Sequence, residues 1–407
     1  MRVLLVTGEY PPMQGGVGDY TRELGIALVA LGVEVHVLTA KAAAMGHLRP
    51  FRTAAEPIVH AVVPRWGWSI WRMMQETAQR LQPDVVHIQY QAAAYGMHPA
   101  LNLVPTRLLQ SQARPCLAVT FHDLRVPYLF PKAGPLRRWV ILRLARAADA
   151  VITTNMADFR SLQAAGGIEV LDLIPIGSNI QAQPPAGYDR ATWRARLGIG
   201  PEEVVLCYFG FLNASKGGET LILTLAELVR RNVPARLLMI GGQVGASDPT
   251  NMAYLKRVRN LIDYLGLTSR VHWTGYVPEE EVSAHFLAAD VCVLPYRDGA
   301  SFRRGSLMAA LAHGLPIVTT LPGEEQPAPT AFHIPRLMDG ENVLLVPPDD
   351  PSRTATAVQR LMMEPALRER IRQGASKLAE AFRWEDIAAR HVDVYRALGT
   401  RRGPTNQ

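Results

Sequence analysis

Val3-Leu4-Leu5-Val6-Thr7-Gly8-Glu9-Tyr10-Pro11-Pro12-Met13-Gln14-Gly15-Gly16-Val17-Gly18-Asp19-Tyr20 runs from a buried strand through a glycine-bearing loop into a helix. Residues 19–31 carry Tyr20, Leu24, Ala27, Leu28 and Leu31 on one face and stop at Gly32, which predicts a helix over that span. Glycines in such a loop let the backbone approach a ligand, and the helix N-terminus beyond favours an anion. A dinucleotide fingerprint needs G-x-G-x-x-G, but Gly16-Val17-Gly18 is followed by Thr21 where the third glycine belongs. The loop is also long and opens with two prolines. A nicotinamide enzyme is therefore disfavoured.

The same alternation continues outward. Apolar runs at 33–38, 58–63, 84–89, 117–122, 150–154 and 171–175 read as strands, with helical stretches between most of them. Continuous apolar strands separated by helices mean a parallel sheet covered on both faces. Residues 181–188, with Pro184, Pro185 and Gly187, read as a linker. Strands at 204–209, 236–240, 271–274, 291–295, 317–320 and 343–346 then alternate with helices at 220–231, 252–265, 279–289 and 307–312. The expected architecture is α/β, with two Rossmann-like doubly wound domains at 1–180 and 181–384. An amphipathic helix at about 385–400 is expected to pack back on the first domain.

Composition narrows the function. The 407 residues are 48% hydrophobic and 19% charged, as in an ordinary globular protein, and suit two domains. No apolar run reaches the ~18–20 residues of a membrane span, and no signal peptide is read at the N-terminus. Cys116, Cys207 and Cys292 each lie in an apolar strand, so buried thiols and a cytoplasmic location are expected, with no metal site. The net charge of +7 is uneven. Between residues 101 and 150, Arg107, Arg114, Arg125, Lys132, Arg137, Arg138, Arg143 and Arg146 face only Asp123 and Asp149. That stretch suits an anionic membrane surface, an anionic substrate or simply a solvated face.

Two loops of the second half carry chemistry. Tyr208-Phe209-Gly210-Phe211-Leu212-Asn213-Ala214-Ser215-Lys216-Gly217-Gly218 ends a strand and opens a helix, so Lys216 can reach an anion as a mobile charge. Tyr296-Arg297-Asp298-Gly299-Ala300-Ser301-Phe302-Arg303-Arg304-Gly305-Ser306 precedes a helix for which Ser306 is a good N-cap and Gly314 with Pro316 a good stop. Guanidinium groups beside free helix amides make a strong diphosphate site, although paired arginines also occur as surface charge.

These loops, with Gly15-Gly16, Lys216-Gly217 and Ala312-His313-Gly314-Leu315-Pro316, resemble glycosyltransferase family 4, retaining enzymes of the GT-B fold. Thr120-Phe121-His122-Asp123, Asp84-Val85-Val86-His87, Gly275-Tyr276-Val277 and Gly340-Glu341-Asn342-Val343 match as well, in order across residues 1–400. The resemblance implies two domains facing a central cleft, the first taking an acceptor and the second a nucleotide sugar. It implies Gly15, Gly16 and Lys216 at the donor diphosphate, His122 at the sugar ring and backbone near Tyr276 at the base. Ser301, Arg303, Arg304, Gly305 and Ser306 complete the expected donor site, with His122 and Lys216 catalytic. No cofactor and no metal requirement are expected.

The family's two glutamates, seven residues apart, align here with Ser301 and Ala309, and its arginine beside Gly210 is replaced by Phe211. Arg303 or Arg304 is expected to restore that missing positive charge. The loss of the carboxylates also motivates a non-catalytic nucleotide-sugar-binding or scaffold protein, and less strongly a nucleotide-sugar epimerase. His122 and His87 also read as satisfied histidines at strand ends. Finally, residues 135–146 form a basic, apolar helix of the kind that lies on anionic lipid, with Trp66, Trp68 and Trp71 as further anchors if the fold brings them alongside. The location expected is then peripheral, on the inner face of the membrane; the partners expected are the nucleotide sugar, a sugar or lipid-linked acceptor and no nucleic acid.

Overall fold

A computed structural model describes residues 1–46, 56–104, 115–124, 135–242, 249–323 and 335–401. Arg107, Arg114, Arg125 and Lys132 of the basic stretch lie outside the described residues. The first elements are β1 (Arg2–Thr7), α1 (Gly16–Ala30), β2 (Glu34–Ala40), β3 (Ile58–Val63), α2 (Ile70–Leu81), β4 (Val85–Tyr90) and β5 (Cys116–Phe121). Next come α3 (Pro135–Ala147), β6 (Ala150–Thr153), α4 (Met156–Ala165), β7 (Leu171–Leu173), α5 (Arg190–Arg196), β8 (Val204–Phe209) and α6 (Gly218–Arg230). β9 (Ala235–Ile240), α7 (Pro249–Tyr264), β10 (Val271–Gly275), α8 (Glu279–Ala288), β11 (Val291–Leu294), α9 (Gly305–Ala312) and β12 (Ile317–Thr320) follow. β13 (Leu344–Val346), α10 (Pro351–Met363), α11 (Pro365–Glu380) and α12 (Trp384–Arg401) complete the series.

The chain divides into two compact units, Met1–Gly177 with Trp384–Gln407, and Ser178–Arg383. The first holds a seven-stranded sheet in the order β3-β2-β1-β4-β5-β6-β7, the second a six-stranded sheet in the order β10-β9-β8-β11-β12-β13. Every strand pair is parallel. This is why the central strands read as continuous apolar runs: both faces are covered there, and β4 and β5 are buried at every position. α12 belongs to the first unit, where Trp384, Ile387, Val392, Tyr395 and Leu398 join the core of α1, β1 and β2.

In each sheet the order reverses at one place, between β1 and β4 and between β8 and β11. Open α/β sheets bind ligands beyond the carboxyl ends of the strands at such a reversal. The loops leaving β1, β8 and β11 are the three glycine- and cation-bearing stretches singled out in the sequence.

Several helix starts lie earlier in the chain than expected, α1 and α9 among them. α1 starts at Gly16 rather than Asp19, with Gly15 as its N-cap in extended backbone. α9 has Arg304, not Ser306, at its N-cap; Ser306 lies inside the first turn, buried, with its hydroxyl 2.6 Å from that of Tyr296. Burial against a tyrosine outcompetes capping there, because a buried phenol needs a partner.

Candidate active site

In the second unit the loops after β8 and β11 are tied together, since Arg297 donates its backbone N–H to the Ser215 carbonyl at 2.9 Å. Gly217 adopts φ +69°, and a Cβ there would fall on the Pro295 carbonyl oxygen. Glycine is therefore required for the two loops to meet. Lys216, one residue earlier, folds back so that its ammonium would stand 3.1 Å from a Cβ on Gly210. Burial, and then the nearby Arg304 charge, bring its pKa down to about 8.

Arg304 is largely buried, its guanidinium 5.0 Å above the Tyr296 ring and ion-paired with Asp298. Its Nε is buried without a hydrogen-bond partner among the described residues. An orphaned guanidinium N–H is costly to leave unpaired and suits an oxygen-rich ligand. Arg303, by contrast, is exposed, and its backbone N–H bonds the Ser301 hydroxyl at 3.3 Å. Ala309 is buried in α9, its carbonyl accepting from His313 Nδ1 at 2.7 Å. A methyl thus packs where the family carries a carboxylate.

The helix N-termini at these loops are unequal. At α6 the Glu219 N–H donates to the Tyr254 hydroxyl at 3.2 Å. At α1 the Glu9 carboxylate accepts from the N–H groups of Val17 and Gly18, at 3.1 and 3.4 Å. At α9 the N-cap residue, Arg304, makes no side-chain cap hydrogen bond among the described residues. The positive end of α9, beside Arg304, is left open to an anion. Tyr276, which follows the edge strand β10, is 72% exposed.

Two family models match the chain. One is described as a glycosyl transferase 4-like domain, over residues 15–177; the other as glycosyl transferases group 1, over residues 203–364. A GDP-mannose-dependent alpha-(1-6)-phosphatidylinositol monomannoside mannosyltransferase of Mycobacterium tuberculosis is 28% identical over 412 residues, 97% of this chain and 98% of that one. The chain is a glycosyltransferase of the GT-B fold. Among solved structures, sucrose-phosphate synthase from Thermosynechococcus elongatus matches with a TM-score of 0.73 and 25% identity, over 98% of this chain and 100% of that one. Anabaena HepE, solved with UDP and glucose, matches with a TM-score of 0.73 and 20% identity, over 98% of this chain and 100% of that one.

In the first unit of this glycosyltransferase, His122 follows β5. Its ring stands edge-on to Tyr20, and its Nε2 lies 3.1 Å from Gln89 Oε1. An amide oxygen only accepts, so Nε2 carries the proton and Nδ1 is left as an acceptor. Burial, and then the His391 ring, push its pKa down to about 3. His122 is therefore neutral at physiological pH and a weak base. His87 is wholly buried and bonded at both nitrogens, to Tyr395 at 2.6 Å and Thr120 at 2.8 Å. It is a satisfied core histidine that anchors α12 to the sheet. Glu9, Gln89, Tyr296 and Asp298 went unassigned in the sequence. The signal for Glu9 was present: a carboxylate between a strand and the glycines that open a helix.

Proposed function

We propose that this glycosyltransferase transfers a sugar from a nucleotide-sugar donor to an acceptor hydroxyl with retention at the anomeric carbon, in glycan, glycolipid or polysaccharide synthesis. The observation that carries it is the set of cationic groups in the second unit: Lys216, the orphaned Arg304 Nε and the uncapped α9 N-terminus at Gly305 and Ser306. Such a set suits a diphosphate, whose leaving is the step to be stabilised. In a front-face transfer the acceptor oxygen bonds to the anomeric carbon as its bond to the diphosphate oxygen breaks. The acceptor's proton passes to the departing phosphate. His122, neutral and holding an acceptor nitrogen, orients a sugar hydroxyl and moves no proton. Tyr276, exposed, is assigned to the base, Ser301 to a sugar hydroxyl, and Gly15 and Gly16 to the diphosphate.

The test is a thermal-shift screen of nucleotide sugars followed by assay of nucleoside diphosphate release. A stabilising donor with acceptor-dependent release is expected. Binding without release would instead favour the scaffold reading motivated by Ser301 and Ala309. The counter-charge comes from the protein's own cations, so release is expected to continue in EDTA, and its loss there would overturn the metal-free proposal.

The relative from M. tuberculosis is named for a phosphatidylinositol-linked acceptor, which supports a lipid-linked acceptor and a peripheral membrane location here. Of the three tryptophans near β3, Trp66 is tied inward by its bond to the Gly8 carbonyl, and Trp71 by its bond to Ala100. Trp68 is 50% exposed and packs on Trp71 and His98. Arg143 of α3 bonds the Asn102 carbonyl, two residues from Trp71's partner, and Trp139, one turn earlier, is 51% exposed. Trp68 and Trp139 are thus exposed aromatic side chains of the first unit, and Arg138 is exposed next to Trp139 in α3. Sedimentation with phosphatidylglycerol vesicles is expected to weaken as salt rises and to fall roughly tenfold in a Trp68→Ala/Trp139→Ala variant. Sedimentation indifferent to both would remove the membrane from the proposal.

A further inference from the structure

Gly15 and Gly16 look alike in the sequence but stand in different surroundings. A Cβ on Gly15 would fall inside the Glu9 carboxylate, whereas a Cβ on Gly16 would meet nothing within 4 Å. The first-turn amides of α1 divide in the same way. Val17 and Gly18 donate to Glu9 Oε1, and the Asp19 N–H already bonds the Gly15 carbonyl at 3.1 Å. Gly16 N–H has no partner among the described residues. Glu9 is itself held: the Thr7 hydroxyl donates to its carbonyl at 2.8 Å, and Trp66 holds the preceding carbonyl, that of Gly8, at 3.0 Å. A Cβ on Gly18 would stand 3.0 Å from the Glu9 carbonyl oxygen, so side chain and backbone of Glu9 both lie against the helix start.

We infer that Glu9 is a positioning residue of the glycine loop: Gly15 is glycine to admit the Glu9 carboxylate, and Gly16 is the glycine whose open face lets a ligand oxygen approach its N–H. Two first-turn amides of α1, those of Val17 and Gly18, are answered from within by Glu9, so the positive end of the helix is partly spent before a phosphate arrives. The inference deepens the proposed donor site and rests on it for the identity of the ligand. It moves Gly15 from the ligand to the loop's own support.

The test uses the full chain, with GDP and UDP as probes. Gly15→Ala is expected to lower Tm by roughly 5 °C or more, and to add almost nothing to Glu9→Ala, because the clash is gone. Gly16→Ala is expected to leave Tm unchanged and weaken nucleotide binding at least about tenfold by removing close approach. Glu9→Gln, which keeps an acceptor oxygen, is expected to bind nucleotide within about twofold of wild type, while Glu9→Ala loses about tenfold. Additive Tm shifts of Gly15→Ala and Glu9→Ala would overturn the contact. Unchanged nucleotide binding in Glu9→Ala would overturn the positioning role. If the wild type binds neither probe, the donor reading falls together with the ligand half of this inference, and the Tm cycle still decides whether Gly15 exists for Glu9.

Discussion

Lys216→Ala is expected to reduce turnover on the order of 10²–10³-fold, the scale of losing one preorganised group that meets charge developing on a leaving group. Lys216 sits where the β8 loop folds back over Gly210, with Gly217 pressed onto the Pro295 carbonyl behind it. Its ammonium is preorganised by the loop, so a mobile surface lysine would not replace it. Its pH dependence separates this role from a structural one. Burial and the Arg304 charge bring its pKa to about 8 from the ordinary 10.5. A diphosphate binds the charged form, so donor affinity should fall by up to about tenfold per pH unit above 8. The sign for the donor-free protein is opposite. The folded state disfavours the ammonium, so its penalty is fully present below pH 8 and is relieved as pH rises from 8 towards 10.5. Calorimetric titration of nucleotide from pH 7 to 9.5, alongside melting curves of the free protein, reads both slopes. A nucleotide affinity flat across that range in the wild type would remove Lys216 from the donor site. In Lys216→Met the alkaline slope should vanish.

What the sequence disclosed and what it withheld divide along a physical line. Strands buried on both faces announce themselves by composition alone, so Val204–Phe209, in the middle of its sheet, is legible to the residue. The order of the strands is less so, yet parallel alternation leaves few topologies, and the reversals at β1/β4 and β8/β11 put the glycine and lysine loops at ligand-binding positions. The helix starts were harder because caps compete. A serine two residues past Arg304 looks like an N-cap until a buried tyrosine claims its hydroxyl. The carboxylate capping α1 comes from Glu9, a whole loop upstream, beyond the reach of rules for neighbours three residues apart. His122 and His87 carry the same letter at the ends of neighbouring strands. Only their partners distinguish a histidine bonded at both nitrogens from one with an acceptor left over.

Arg303 and Arg304 could not be told apart in sequence, and their variants are expected to differ sharply. Arg304→Ala should weaken donor binding about 10²-fold, within the ~2–5 kcal/mol typical of truncating a buried, hydrogen-bonded charge. Arg303→Ala, at an exposed position, should change it less than about threefold. The difference follows from what each side chain touches. Arg304 is fixed over Tyr296, held by Asp298, and keeps a buried N–H unspent. Removing it takes that N–H from the ligand and leaves Asp298 as an unbalanced negative charge beside a diphosphate, so part of the loss is new repulsion. Asp298→Asn in the Arg304→Ala background should then recover some affinity, which a generally damaged loop would not do. Arg304 also contributes to the low pKa of Lys216, so its loss should carry the alkaline limb of donor binding upward from pH 8 even as affinity falls. Weaker binding with an unmoved limb would mean that Arg304 acts on the donor without acting on Lys216. Unaltered binding in Arg304→Ala, with Lys216→Ala abolishing it, would end the idea that Arg304 supplies the charge missing beside Gly210.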